Sequence, residues 1–111
     1  MNKELATTLF ESLASGVRLD VFRLLVKHAP TGLVAGEIAS SLAVPPTNLS
    51  FHLKAMTHAG LVTVTQEGRF QRYRANLTMM QSLIDYLTAE CCAGHPDSCF
   101  DTSASSCCSS D

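Results

Sequence analysis

The chain has 111 residues, 46% of them apolar and 16% charged, with eight basic side chains against ten acidic ones. This length makes one domain rather than two, and a net charge of −2 argues against a nucleic-acid binder that is basic throughout. The five cysteines are an odd set; with no secretory leader and no apolar run near the roughly 20 residues of a membrane span, they fit a cytoplasmic protein whose thiols stay reduced unless they bind metal or react.

Leu5, Leu9, Phe10 and Leu13 recur at helical spacing and predict an amphipathic helix over residues 3–13. Ser15 is a suitable N-cap for a second helix carrying Val17, Val21, Leu24 and Leu25. Leu19, Phe22 and Val26 widen its apolar face, so this helix is expected to be buried on most sides. Ala29, Pro30, Thr31 and Gly32 end it. A short third helix follows, with Ile38, Ala39 and Leu42 facing inward, and the chain turns at Ala43, Val44 and Pro45. Pro46 suits the first turn of a fourth helix, where its missing N–H costs nothing, and Gly60 suits its end. Leu49, Leu53 and Met56 mark the inner side of that helix, while Thr47, Asn48, Ser50, His52 and Lys54 are polar. Leu61 to Thr65 has the β-branched content of a strand. Gln66 to Arg69 reads as a turn and Phe70 to Ala75 as the returning strand. A last helix, ending near Glu90, shows Leu77, Met80, Ile84 and Leu87 as a stripe thickened by Leu83.

The order is α-α-α-α-β-β-α: mainly α with a β-hairpin. A short helix, a tight turn, a polar-faced helix and a hairpin together describe a winged helix-turn-helix. Its recognition helix would enter the major groove of double-stranded DNA, where early residues reach base edges. Thr47, Asn48 and Ser50 offer donors and acceptors without bulk, and His52 and Lys54 could reach bases or phosphates. The hairpin presents Arg69, Arg72 and Arg74 near its tip and outgoing strand. Between Pro45 and Asn76 four Lys or Arg stand against one Glu, a local excess of +3. Steering depends on where charge sits, so this excess outweighs the overall −2 for DNA binding. A polar helix face can also be only a solvated face, and arginines on a hairpin can protect a sheet edge. The ordered combination is more specific than either part. No Gly-rich phosphate loop, recognisable carboxylate pair or nucleophile elbow points to an enzyme.

Residues 10–90 resemble the ArsR/SmtB family of metal-responsive bacterial repressors. The matching segments are Leu13-Ala14-Ser15-Gly16-Val17-Arg18-Leu19, Leu49-Ser50-Phe51-His52-Leu53-Lys54, Ala59-Gly60-Leu61-Val62, Glu67-Gly68-Arg69-Phe70 and Tyr73-Arg74. The resemblance implies a homodimer built from the first and last helices. It also implies binding to an imperfect palindrome in operator DNA and repression of genes for metal or metalloid resistance. Phe51 is a departure, since members often carry a second histidine there.

All five cysteines lie beyond residue 90: Cys91, Cys92, Cys99, Cys107 and Cys108. Residues 1–90 carry a net +1, whereas residues 91–111 carry −3 from Asp97, Asp101 and Asp111. The chain therefore divides into a DNA-binding and dimerisation domain, 1–90, and a Cys/Ser-rich inducer-binding tail, 91–111, expected to be flexible. Some family members hold arsenite through cysteines at the start of the third helix, where this chain has Leu33, Val34, Ala35 and Gly36. Others bind zinc with carboxylates and histidines on the last helix, where this chain has Asp85 and Glu90 but no histidine. What remains is Cys91-Cys92 and Cys99. Thiolates select soft ions, and trivalent arsenic or antimony takes three sulfurs in a pyramid. Two adjacent cysteines cannot easily supply all three. Seven residue steps span at most roughly 25 Å, so Cys99 can fold back past Gly94 and Pro96. The pattern also resembles the subgroup with a C-terminal Cys-Cys…Cys arsenite site.

The expected function is an As(III)-responsive repressor, with Sb(III) as an alternative inducer, no organic cofactor and no membrane partner. Zinc or cadmium, with His95 as a fourth ligand, is a rival inducer. A redox repressor with Cys99 as resolving thiol is another. A metal carrier without DNA binding is a rival of a different class. Cys107 and Cys108 are left without a role.

Overall fold

The computed structural model describes residues 1–89. Helix α1 spans Lys3–Leu13, with Asn2 Oδ1 accepting from the Leu5 N–H at 2.8 Å as its N-cap. Helix α2 spans Gly16–Lys27 behind Ser15, whose hydroxyl accepts a long 3.5 Å bond from the Arg18 N–H. Strand β1 is only Leu33–Val34, followed by α3 at Ala35–Leu42 and α4 at Pro46–Ala59. Strands β2, Val62–Glu67, and β3, Phe70–Ala75, form the wing, and α5 spans Leu77–Thr88.

The sheet has three strands, not two, in the order β1-β3-β2. Both pairings are antiparallel, with Leu33 opposite Tyr73 and Val64 opposite Tyr73 on its other side. The close approach of the α2–β1 loop to β3 depends on Gly32. Its φ is +79°, and a Cβ there would run into the Tyr73 carbonyl oxygen. The hairpin turn is tighter than the sequence suggests. It needs only Gly68 and Arg69, so each strand runs to the very tip. Gly68 takes φ +62° while Arg69 keeps an ordinary φ, the pattern of a II′ turn whose twist suits a hairpin.

The core gathers Leu9 of α1, Val21 and Leu25 of α2, Ile38 of α3, and Leu49, Leu53 and Met56 of α4. Leu61 before the wing, Val62 and Tyr73 within it and Leu83 of α5 join them, with Ala6, Phe22 and Ala39. Two apolar faces differ from expectation. Leu19 and Val26 stand 45% and 41% exposed, so α2 is buried on one side only, through Val21, Phe22 and Leu25. On α5 only Leu83 is buried, while Leu77, Ile84 and Leu87 face outward at 45%, 45% and 57% exposure. Phe10 of α1 is likewise 44% exposed. The periodic stripes are real, but parts of them point away from the chain's own core. Among the described residues, no helix is long and apolar enough to cross a membrane.

Candidate nucleic-acid interface

Helix α4 is aimed by its two ends. Before it, Ala43 takes a left-handed φ of 54° at the end of α3, which turns the chain sharply into Pro45 and Pro46. After it, Gly60 at φ +93° closes the helix, its N–H donating to the Met56 carbonyl at 3.1 Å. Leu49, Leu53 and Met56 anchor one side in the core. The opposite side exposes Thr47, Ser50, Phe51, Lys54 and His58, with Asn48 exposed on the flank. Thr47, Asn48, Ser50 and Lys54 thus reach solvent where the sequence placed them. Phe51 and His58 join them, the first at 67% exposure.

The helix stands as a ridge between two grooves. One, of about 450 Å³, lies toward α1 and α2 and is lined by Thr8, Glu11, Ser12 and Arg18 against Phe51, Lys54 and His58. The other, of about 600 Å³, lies toward the wing, between Ser50, Lys54, Thr57 and His58 and the sheet residues Val64, Gln71 and Tyr73. A ridge that carries Thr47, Ser50 and Lys54 beside Phe51 and His58, flanked by clefts, has a shape that a major groove receives.

His52 behaves differently from its neighbours. It is half-buried and turned toward α2, where its Nδ1 accepts from the Arg18 Nε–H at 3.1 Å. The Arg18 guanidinium carbon lies 6.0 Å from the Phe51 ring centre, and the Phe51 ring meets His52 edge-on at 5.7 Å. Sequence reasoning used Arg18 only as part of a matching segment. Arg18 and His52 lie 34 positions apart in the sequence, which carries no signal that their side chains meet.

The wing divides its side chains by register. Val64 opposite Tyr73 and Gln66 opposite Gln71 fall on the face toward α4. Thr65 opposite Arg72 and Thr63 opposite Arg74 fall on the other face. Arg72 is therefore not gathered with the α4 residues. Its Nε donates to Glu67 Oε1 at 2.9 Å and its Nη1 to the Gly32 carbonyl at 3.3 Å, stitching β3 to the loop before β1. Arg74 donates to the Pro30 carbonyl and to Thr65 Oγ1. Arg69, at the tip, is exposed and has no protein partner among the described residues. The local charge excess thus thins at the base of the wing and persists at its tip and along α4. Gln66 and Gln71 were missed, although strand alternation alone puts them beside Val64 and Tyr73. Burial raises the Tyr73 hydroxyl above its ordinary pKa, and that hydroxyl donates to Gln71 Oε1 at 3.1 Å.

Residues 13–65 match the helix-turn-helix domain family. HlyU from Vibrio cholerae is 28% identical, with a TM-score of 0.65 over 83% of this chain and 99% of that one. The chain carries the fold of ArsR-like transcriptional regulators. A homodimeric winged helix-turn-helix DNA-binding domain from Mycobacterium bovis, described as a possible ArsR-family regulator, is 26% identical. Its TM-score is 0.62, over 78% of this chain and 81% of that one. A protein described as a possible transcriptional regulator for arsenical resistance is 28% identical, with a TM-score of 0.59 over 73% of this chain and 83% of that one. No curated protein matches the chain. These likenesses carry the wing and the helix-turn-helix as a fold. Among the described residues, no three His, Cys, Asp or Glu side chains converge as metal ligands. The candidate ligands Cys91, Cys92 and Cys99, with His95, Cys107 and Cys108, lie outside the described residues.

Proposed function

We propose that the chain is an As(III)-responsive transcriptional repressor. As a homodimer it occupies operator DNA with α4 and the wing tip, using Thr47, Asn48, Ser50, His52, Lys54 and Arg69. Arg72 joins this set as a brace of the wing. Release follows when Cys91, Cys92 and Cys99 take up As(III), or Sb(III), in exchange for its hydroxyls, which leave as water without a change of oxidation state.

One observation carries the reading: five cysteines, none within the first 90 residues, begin two residues after α5's C-cap. That helix presents an outward apolar face fit for a second copy. Cys91 and Cys92 follow α5 closely in the chain, and α5 carries the proposed dimer surface, which sets the distance between two recognition helices. Likeness to a possible arsenical-resistance regulator and to a homodimeric DNA-binding domain supports the same reading. For induction the ion must bind the DNA-free dimer more tightly, and couplings of roughly 1–3 kcal/mol would weaken DNA binding about 5–150-fold.

The test is one titration of the full chain on a duplex it enriches from a random library. Arsenite, antimonite, cadmium, zinc and peroxide are added in parallel. Release by arsenite, with or without antimonite, is expected, together with loss of that release in Cys99→Ser. Release by peroxide alone makes the chain a redox repressor, and release by zinc or cadmium alone makes it a divalent-metal sensor.

A further inference from the structure

The bond between Arg18 and His52 joins the second helix to the recognition helix at a place where chemistry permits only one arrangement. A guanidinium has donors and no acceptor, and it stays protonated at any ordinary pH. His52 Nδ1 accepts from the Arg18 Nε–H at 3.1 Å, so it must carry a lone pair. In a neutral imidazole the proton is then on Nε2. The Phe51 ring lies edge-on to His52 at 5.7 Å, and the Arg18 guanidinium carbon lies over Phe51 at 6.0 Å. Ring flipping would exchange a bonded nitrogen for a carbon facing Arg18.

We propose that Arg18 is a positioning residue for DNA recognition, which locks His52 in its Nε2–H tautomer so that α4 offers a donor, and no acceptor, at that position. The recognition role rests on the reading of the chain as a DNA-binding regulator. A lone N–H matches acceptors on the duplex: guanine N7 or O6, adenine N7, thymine O4 or a phosphate oxygen. It has nothing to offer the amino group of cytosine. Without Arg18 both tautomers are open, and His52 can answer donors and acceptors alike. Arg18 thus narrows what α4 reads without touching a base itself.

Two readouts test this on the full chain. The first is ¹⁵N NMR of histidine-labelled protein near pH 8, above the usual histidine pKa of about 6.5. Wild-type His52 is expected as the Nε2–H tautomer, and Arg18→Leu as a mixture. Arg18→Lys, which keeps the charge but not the Nε geometry, reports on the lock should the leucine variant fold poorly. The second readout is selection of duplexes from a random library. Arg18→Leu is expected to relax preference at one base position per half-site by about three- to tenfold, the worth of one hydrogen bond. His52→Ala should relax the same position, and the double variant should relax it no further. A wild-type Nδ1–H tautomer, or one unchanged in both Arg18 variants, overturns the lock. Equal weakening on every duplex, with base preferences intact, overturns the recognition role and makes Arg18 a general charge. A wild-type chain that enriches no duplex while His52 stays locked overturns the DNA-binding reading and the recognition role with it, leaving the lock standing.

Discussion

Ile84→Ala separates the two sides of α5. Ile84, Leu77 and Leu87 are 45%, 45% and 57% exposed, so each has about half of its surface still to bury. Full burial of such a side chain is worth roughly 1.5–3 kcal/mol, which leaves about 1 kcal/mol per residue. A two-fold dimer buries each residue twice, so the three contribute about 6 kcal/mol. That is enough to offset the lower range of the roughly 4–15 kcal/mol cost of association. Truncating Ile84 removes about 2 kcal/mol from the dimer and raises its dissociation constant about 30-fold. The protomer's own stability should hardly change, because Ile84 is not in the core. Leu83→Ala is the contrast: it is 2% exposed, and its loss costs the fold about 2–5 kcal/mol. Sedimentation equilibrium on both variants, with urea denaturation beside it, reads the two effects separately. A wild-type chain that stays monomeric up to about 1 mM, or an Ile84→Ala dimer within threefold of wild type, would refute α5's outer face as the dimer surface.

Gly32→Ala should cost about 2–3 kcal/mol in urea denaturation, because φ is +79° and the new Cβ meets the Tyr73 carbonyl. Gly36→Ala, in α3 with nothing within 4 Å, should instead gain up to about 1 kcal/mol, and similar losses for both would count against the account of Gly32. Arg69→Ala should lower the log–log salt slope of DNA binding by about 0.9, one phosphate contact, whereas Arg72→Ala should leave the slope alone and weaken the wing by up to about 1 kcal/mol. Tyr73 keeps its proton longer folded than unfolded, so its contribution is complete below about pH 10 and lost as pH rises beyond. Urea midpoints on either side of that pH should fall more in wild type than in Tyr73→Phe.

Periodicity made most of the fold legible, because Leu9, Val21, Leu25, Leu49, Leu53 and Met56 fall where a one-sided helix must bury them. It could not say which apolar residues wait for another surface. Leu19 and Val26 read like core and are not, since apolar spacing is the same whether the covering surface belongs to this chain or to another. Strand β1 is two residues long and leaves no pattern. The wing's arginines were visible as charge, but their direction depends on register. Once Val64 pairs with Tyr73, Arg72 must point away from α4. On α4 itself Thr47, Ser50 and Lys54 could be placed from Pro46 and the buried leucines alone. The restraint on His52 could not, because its partner lies on another helix.

Asn76 ties α5 to the recognition helix, and so bears on how a signal at one end of α5 could reach DNA. Its Oδ1 accepts from the Met79 N–H at 3.2 Å and caps α5, while its Nδ2 donates to the Gly60 carbonyl at 3.0 Å. Its own N–H donates to the Leu61 carbonyl at 2.9 Å. One side chain thus holds the start of α5 against the end of α4. Asn76→Asp keeps an N-cap of equal quality but sets a carboxylate oxygen where the Gly60 carbonyl expects a donor. The fold should lose about 1–2 kcal/mol from the unmet carbonyl, read by urea denaturation. In the proposed repressor the arsenite response should also shrink, from the 5–150-fold typical of such coupling to under about threefold. The inducer could still move α5, but the movement would no longer be passed to Gly60. Asn76→Ala, which also removes the cap, should cost about 1 kcal/mol more than the aspartate variant and lose the response equally. Equal arsenite-driven release by wild type and Asn76→Asp would exclude this bond as the route and shift the coupling to the dimer surface alone.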